Sequence, residues 1–551
     1  MPVQKPVERI ISTDQIIELI LGWLSICHDG HIKCQHSQNA TIRAEYPRRL
    51  IHLGTDEGIV KLTNFVEPNM SYVALSYCWS GVQNLTLTSE TMGDFTNGIL
   101  WSKLPLTMRQ AMELTKKLGI QYIWIDALCI QQDSPEDWRI ESSKMGSIYA
   151  NSHLVISADA APDVDSGFIV PRVSDNHTVK LVDSSSYGNT AKALFLSEND
   201  PKRKPNPLYV MHSLFQRRAD SQIVLSDPVF KRAWCMQESF AATRVIHFTS
   251  CELVWECRTE TQCECHGLNR YNRHLACDRV PCDLKKQIHH NLLTGHASKS
   301  DQVNSWYDIV GEYSYRRLSF DSDQLPAISA IAKGLQSALL GCYLAGVWLG
   351  ALPHALLWHC KTTSRTPNPL VRHRRCQSFV APSWSWASVF GGVEYGLYPS
   401  DDDNDALREH LIAEVVDVSC EPVSQDPYGQ VKGGTLVLEA ALIPATLHCK
   451  PYSEESFSSS RNAYLSLFDY TSTTRSLCFP DVDWPPSGAT ADCFCALIAR
   501  LDMDMSMTYK AILVVPSTKS AGAFERIGFA YIYHRRCITS LEDNRNVITI
   551  H

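Results

Sequence analysis

Two short stretches decide the fold of this chain: Tyr72-Val-Ala-Leu-Ser-Tyr-Cys-Trp79 and Tyr122-Ile-Trp-Ile-Asp-Ala-Leu-Cys-Ile-Gln-Gln-Asp133. Each is an apolar run that ends in polar and aromatic residues, which is the pattern of a buried parallel strand whose C-terminal end opens into a site. Ligands of open α/β sheets bind outside these carboxyl ends. The first candidates for function are therefore Ser76, Tyr77 and Trp79 after one strand, and Asp126, Gln131 and Asp133 after the other.

The residues around these strands predict alternating strands and helices. One helix should begin near Pro105 and stop at Gly119, and a second should run from about Pro135 to Tyr149 before a third strand at 154–157. Such alternation is typical of a parallel sheet with right-handed crossovers. We therefore predict an α/β fold with a mainly parallel central sheet and flanking helices in a core domain at residues 66–175.

The rest of the chain divides into four further segments. We predict a helix and then an extended segment in residues 1–65. Residues 176–225 are polar, and we predict that they form an insertion loop. Residues 226–390 predict an α-rich continuation of the core body, and 391–551 a β-rich C-terminal region. The apolar stretch 338–358 is just long enough to span a bilayer, but Pro353 and its aromatic residues favour a buried core helix. We expect no membrane span.

Length and charge exclude several classes of protein. A chain of 551 residues, 44% hydrophobic and 20% charged, is globular and too long for one ordinary core. Its net charge of -8 offers no general attraction to nucleic acid, which we do not expect as a partner. The N-terminus shows no secretory signal, so we expect a cytoplasmic protein whose 20 cysteines are reduced. The sequence also contains no P-loop, G-x-S-x-G or H-E-x-x-H motif.

Two groups of cysteine and histidine residues could bind zinc. The first consists of Cys27, His31, Cys34 and His36, and the second of Cys257, Cys263, Cys265, His266, Cys277 and Cys282. Neither has the paired C-x2-C spacing of the common zinc sites, and unpaired cysteines are often small buried hydrophobes. The cofactor is therefore unknown at this stage. Zinc is an open alternative, and no metal ligand is assigned.

The order and spacing of several blocks resemble the fungal heterokaryon incompatibility (HET) domain. Besides the two opening stretches, the blocks are residues 104–111, 137–149, 154–158, 232–238, 255–257, 323–329 and 381–388. The resemblance runs from about residue 20 to about residue 390. It implies a protein of a filamentous fungus that acts in non-self recognition and triggers programmed cell death, with a protein partner or self-association. HET domains are also distantly similar to Toll/interleukin-1 receptor (TIR) domains, which implies a TIR-like sheet.

The similarity to TIR domains makes Glu141 a candidate catalytic residue. Some TIR domains cleave NAD with a glutamate on a helix that begins with a tryptophan, because a carboxylate can stabilise an oxocarbenium-like ribosyl centre. Here Trp138 and Glu141 are three residues apart, where four is usual. We therefore predict Glu141, Asp126 and Ser76 as catalytic, with a nucleotide-like small molecule bound by Tyr77, Trp79, Gln131 and Trp138. The chain would then be an NAD glycohydrolase or an enzyme recruited to a secondary-metabolite pathway.

Each of these candidates also has a structural interpretation. Glu141 can pair or cap at the helix surface, and Asp126 can belong to a network of buried donors. Tyr77 and Trp79 can be core aromatics, and the helix at 232–238 can supply Arg232 and Glu238 as partners for Asp126 or Glu141. Under the catalytic interpretation, one face at the carboxyl edge of the sheet should carry Ser76, Tyr77, Trp79, Asp126, Gln131 and Glu141.

Overall fold

The chain forms two compact units, Met1–Leu293 and Thr294–His551, in a computed structural model. The described residues are 8, 10–35, 45–54, 58–64, 66–67, 70–79, 85–172, 179–182, 207–210, 227–264, 285, 297–360, 373–396, 408–449, 463–467, 475–481, 490–503, 506–534 and 545–551. Within them, no helix is long and apolar enough to cross a membrane.

A mixed sheet of nine described strands forms the centre of the first unit. The chain supplies β1 (Leu50–His52), β2 (Ile59–Thr63), β3 (Val73–Ser76), β4 (Ile99–Leu100), β5 (Tyr122–Trp124) and β6 (Leu154–Ser157). Two further strands, β7 (Val179–Val182) and β8 (Pro207–Val210), pair only with each other among the described residues. The last sheet strands are β9 (Arg244–Phe248), β10 (Leu253–Cys257) and β11 (Thr261–Cys263). The order across the sheet is β11-β10-β9-β6-β3-β5-β1-β2-β4.

The two opening stretches lie side by side in this sheet, as predicted. Strand β3 pairs in parallel with β5, with Val73 opposite Ile123, and also with β6. The prediction of a mainly parallel sheet is confirmed in part: β9-β6-β3-β5 are parallel, whereas both flanks are antiparallel, so the whole sheet is mixed. Only a few residues separate β1 from β2 and β9 from β10 in the sequence, which suits antiparallel pairs, because a parallel pair requires a long crossover.

Seven described helices accompany the sheet in the first unit: α1 (Thr13–Gly30), α2 (Ile32–Gln35), α3 (Met92–Asn97), α4 (Leu106–Lys117), α5 (Asp126–Cys129), α6 (Pro135–Asn151) and α7 (Ala233–Ala241). Helix α1 begins at a capping box formed by Ser12 and Gln15. Helices α4 and α6 are the two helices predicted between the central strands. Of the predicted insertion 176–225, the structure describes β7 and β8, and the remainder lies outside the described residues.

The second unit begins with helices and continues with strands. Its described helices are α8 (Lys299–Ser314) and α9 (Ser329–Leu335), and its short paired strands are β12 (Tyr343–Leu344), β13 (Val347–Trp348), β14 (His359–Cys360), β15 (Arg374–Arg375), β16 (Val389–Phe390) and β17 (Val393–Glu394). The larger sheet contains β18 (Arg408–Leu411), β19 (Glu414–Pro422), β20 (Val431–Cys449), β21 (Ala463–Leu467), β22 (Arg475–Pro480), β23 (Thr490–Met503), β24 (Ser506–Pro516), β25 (Phe524–His534) and β26 (Arg545–Ile550). The C-terminal region is thus β-rich, as expected.

The apolar stretch 338–358 does not form the predicted helix. Its residues make the β12–β13 hairpin followed by two single 3-10 turns, Leu349–Ala351 and His354–Leu356. The hairpin turn places Ala345 and Gly346 at positive φ, which an α-helix does not allow. The stretch is apolar because it is buried, with Trp348 and Trp358 both inaccessible to solvent.

Candidate functional site

The ends of β3 and β5 meet at one edge of the sheet and bring several predicted site residues together. Strand β3 ends at Ser76, and Asp126 opens α5 directly after Ile125. The indole Nε1 of Trp79 donates to Asp126 Oδ2 at 2.8 Å, and the backbone N–H of Ala127 donates to Asp126 Oδ1 at 2.7 Å. The Tyr77 hydroxyl lies beside the same carboxyl group. Asp126 therefore lies in a network of hydrogen-bond donors that is partly buried.

Helix α7 completes this arrangement with an arginine and a glutamate. The guanidinium of Arg232 donates to the carbonyl oxygen of Tyr77 and lies near Asp126. The Glu238 carboxyl, one and a half turns later, interacts with the hydroxyls of Ser76 and Tyr149. We call Ser76, Tyr77, Trp79, Asp126, Arg232 and Glu238 the carboxyl-edge cluster.

Burial sets the protonation of the acids in the carboxyl-edge cluster. It raises the pKa of Asp126, although Arg232 and the donors from Trp79 and Ala127 oppose the change. It also raises the pKa of Glu238 to about 7, with a further increase from Asp126 and opposition from Ser76 and Arg232. A carboxyl group with a pKa near neutrality can give and take a proton under physiological conditions.

The residues of the carboxyl-edge cluster differ in their exposure to solvent. Glu238 and Ser76 are buried, whereas Trp79, Asp126 and Arg232 are each partly exposed. A molecule that approaches this edge would therefore meet an indole, a carboxyl group and a guanidinium, with Glu238 behind them. This combination can stack on a flat ring, accept a hydrogen bond and hold an anion.

A cleft of about 760 Å³ lies at the N-terminal end of α6. Asp137 is held there by Arg49, by Arg48 Nη1 at 3.1 Å and by the backbone N–H of Gln131 at 2.8 Å. Arg49 is buried, and the side chain of Arg48 is 53% exposed. The other lining residues are Pro47, Asn64, Val66, Met92, Ser134, Glu136 and Ile140.

The predicted site residues thus do not all lie together. Ser76, Tyr77, Trp79 and Asp126 form the carboxyl-edge cluster, while Gln131 lines the cleft. Glu141 is fully buried and accepts hydrogen bonds from the backbone N–H of Arg48 at 3.3 Å and from Lys144 Nζ at 3.2 Å. Trp138 packs edge-to-face on Trp234 of α7, with ring centroids 6.3 Å apart. Asp133, the other polar residue noted there, is exposed and accepts from Ser89.

Two groups of polar residues were not predicted from the sequence. Arg48 and Arg49 line the cleft, and the only signal for them is an Arg-Arg pair directly before β1. The second group is buried around His247 of β9, whose Nδ1 is 2.8 Å from Asp159 Oδ2 and whose Nε2 is 3.1 Å from Glu256 Oε2. Burial opposes a charge on this ring, but the two carboxylates raise the pKa of His247 to about 9.

Members of both predicted zinc groups come together in the first unit. Cys27, His31, Cys34 and Cys257 lie close to one another and are all buried. Cys263 is also buried but does not belong to this set. The other predicted candidates, His36, Cys265, His266, Cys277 and Cys282, lie outside the described residues.

Comparisons with known proteins find a match to one segment of the first unit. Residues 72–238 match the family model described as "Heterokaryon incompatibility protein (HET)". A curated relative, "Heterokaryon incompatibility protein 6, OR allele" of Neurospora crassa, is 31% identical over 99 residues, which cover 16% of this chain and 14% of the relative. No solved structure matches. Residues 72–238 are thus similar to the heterokaryon incompatibility domain, and the match covers less than a third of the chain.

Proposed function

We propose that this protein acts in fungal non-self recognition and that its HET domain triggers programmed cell death. One observation carries the proposal: the family match begins at Tyr72 and ends at Glu238, and it encloses the whole carboxyl-edge cluster. The segment that matches the family is therefore also the segment that contains Asp126 and Glu238, two acids at the sheet edge whose pKa values burial raises. The name of the curated relative supports the same function.

The proposal places the protein in the cytoplasm, where it would act on a protein partner or on a second copy of itself. The partly exposed side of the carboxyl-edge cluster is the part of the site that such a partner would reach. Asp126 is central to it, because it accepts from Trp79 and Ala127 and faces Arg232. Removal of its charge should therefore disable the site with little change in shape.

Inducible expression in a filamentous fungus tests this proposal. The wild-type chain should kill the cells, and Asp126→Asn should lower killing by at least about tenfold at equal protein abundance. Asp133→Asn is the matched control, because Asp133 lies in the same stretch but is exposed and accepts from Ser89. Survival of cells that express the wild type would contradict the cell-death function. Full killing by Asp126→Asn would contradict the role of the carboxyl-edge cluster.

Asp126→Ala should also cost stability, unlike the asparagine variant. Alanine leaves the Trp79 and Ala127 donors without their acceptor, and an unsatisfied buried donor costs about 1–3 kcal/mol. Thermal denaturation should therefore rank the wild type above Asp126→Asn and place Asp126→Ala lowest. Equal melting temperatures for the alanine variant and the wild type would show that these hydrogen bonds do not stabilise the fold.

A second candidate function is an enzyme that acts on a nucleotide-like molecule, such as an NAD glycohydrolase. The cleft at the N-terminus of α6 favours it, since the half-exposed Arg48 guanidinium and the helix end both attract a phosphate. Glu141 lies directly behind, bound to the backbone of Arg48 and to Lys144. A catalytic role for Glu141 requires these contacts to open when a substrate binds, because the residue is fully buried.

Incubation of the purified protein with NAD, with nicotinamide release as the readout, tests the enzyme. Glu141→Gln keeps the shape of the side chain and removes its charge, so it should lower the rate by about 10²–10³-fold. Glu90→Gln, at an exposed position, serves as the control. Absence of nicotinamide release from the wild type would exclude NAD cleavage, and unchanged release from Glu141→Gln would exclude Glu141 as the catalytic group.

A further inference from the structure

Three cysteines and a histidine converge beside the edge region of the first sheet. Cys27 ends the buried face of α1, His31 follows as the C-cap of that helix, Cys34 lies in α2, and Cys257 ends β10. One ligand atom from each lies within 4.8 Å of all the others. His31 and Cys257 are 226 residues apart in the sequence, so the fold, not local spacing, brings them together.

Regular packing between α1 and β10 explains this convergence. Trp23 of α1 stacks on Trp255 of β10, with ring centroids 6.2 Å apart. Four residues along a helix and two residues along a strand both advance about 6–7 Å. Cys27 and Cys257, one such step beyond the tryptophans, therefore meet at the same level. The turn that ends α1 then brings His31 and Cys34 back over them, with the N–H of Cys34 bound to the carbonyl of His31 at 2.9 Å.

The groups around the four side chains are those of a metal site. His31 Nδ1 faces Cys257 Sγ at 3.4 Å, while Nε2 lies 3.3 Å from the carboxylate of Glu260. A metal-binding histidine commonly donates its second ring N–H to a carboxylate in this way, which fixes the tautomer and the ring orientation.

Hydrogen-bond donors also point at the sulfur atoms. Cys257 Sγ receives the backbone N–H groups of Thr259 at 3.4 Å and Glu260 at 3.3 Å, and Cys27 Sγ receives Arg244 Nε at 3.3 Å. A neutral thiol is a weak acceptor, whereas a thiolate is a strong one. Three donors, one of them a guanidinium, favour thiolates at this position.

We propose that Cys27, His31, Cys34 and Cys257 bind one zinc ion. Zinc takes four ligands in a tetrahedron at about 2.3 Å from sulfur and about 2.0 Å from nitrogen, so its ligand atoms lie on the order of 3.5–3.8 Å apart. The four atoms here need to move little to reach that spacing. Three thiolates and a divalent ion leave one negative charge, which Arg244 offsets.

The site is structural, because four buried protein ligands leave no position for a substrate. All four residues lie outside the segment that matches the family model, three before it and one after it. Zinc would therefore fasten α1 and α2 to β10, and so join the two chain segments that flank the HET domain. This role does not depend on whether the domain signals or catalyses.

Metal analysis of the full-length protein tests the proposal. Protein purified without chelator should contain one zinc per chain by mass spectrometry. Replacement of zinc by Co²⁺ should give the visible bands of a tetrahedral site together with thiolate-to-cobalt charge-transfer bands. A wild-type protein that takes up neither metal when reduced and supplied with it would overturn the proposal. A disulfide between any two of the three cysteines in the freshly prepared protein would do the same.

Variants identify the ligands. Cys34→Ser and Cys257→Ser should each lose most of the zinc, whereas Cys129→Ser, at a buried thiol of the same unit outside this set, should retain it. Because a serine variant could lose zinc by misfolding, His31→Cys provides an independent measurement. It should retain one metal ion and increase the cobalt charge-transfer intensity by about a third, from three thiolates to four. Zinc retained by both serine variants, or an unchanged cobalt spectrum for His31→Cys, would show that these residues are not the ligands.

Discussion

Protonation of Glu238 should affect the stability of the protein below neutral pH. Its folded-state pKa of about 7 lies above the ordinary 4.5, so the folded protein holds a proton that the unfolded chain releases. The resulting stabilisation is fully present below about pH 4.5 and is lost as the pH rises through about 7. The difference amounts to about 3 kcal/mol. Glu238→Gln should therefore flatten the decrease in the free energy of unfolding between these pH values, as measured by urea denaturation.

Glu113→Gln is the control for this measurement, because Glu113 is exposed on α4. It should leave the pH dependence of the wild type unchanged. An identical slope for the wild type and Glu238→Gln would show that the glutamate does not retain its proton in the folded state.

His247 should contribute to stability at higher pH than Glu238. Its folded pKa of about 9 exceeds the ordinary 6.5, so its stabilisation is fully present below about pH 6.5 and is lost as the pH rises through about 9. His247→Gln leaves the carboxylates of Asp159 and Glu256 without the positive ring between them, at a cost of about 3 kcal/mol near pH 6. The cost should shrink above pH 9, where the wild-type ring is neutral. Urea denaturation of both proteins at these two pH values checks this, and a loss that does not change with pH would contradict it.

Single strands could be predicted from the sequence where their apolar runs are continuous. Strands β3, β5 and β6 are each three or four residues long and almost fully buried, so their pattern shows no polar alternation. Strands β9 and β10 are equally buried, yet they lie in the segment predicted to be α-rich. The polar side chains of His247 on β9 and Glu256 on β10 form a hydrogen bond with each other. This bond allows both to be buried, and the sequence of either strand alone does not predict it.

The sequence predicts those contacts of the candidate site that form between residues at the ends of neighbouring strands. Trp79 and Asp126 follow β3 and β5, so their hydrogen bond follows from the parallel pairing. The contacts of Arg48 and Arg49 with Asp137 depend instead on how the segment before β1 packs against α6. The hydrophobic periodicity of the sequence does not predict a contact of this kind. Packing between distant segments also brings Cys257 next to Cys27 and Cys34, which the sequence alone assigns to two different candidate zinc groups.

Each of the two units has its own buried core and its own buried ionic group. In the second unit Arg526 and Asp481 are both inaccessible to solvent and form a bidentate pair, with two N···O distances of 3.1 Å. The guanidinium also stacks on Trp358 at 3.5 Å and donates to the carbonyl oxygens of Leu356 and Trp358. One arginine thus joins β25 to the irregular residues 356–358 and to the end of β22.

Asp481→Ala should destabilise the second unit strongly, because it leaves the Arg526 charge buried without its counterion, which costs about 3–5 kcal/mol. Asp492→Ala is the matched control, since Asp492 sits on a sheet strand and accepts from Thr446 near the surface, where a loss is about 0.5 kcal/mol or less. Hydrogen exchange followed by mass spectrometry should show faster exchange in β22 and β25 for Asp481→Ala. If the alanine variant exchanged as slowly as the control, the buried pair would not be what holds these strands together, and the packing of Trp358 alone would account for their stability.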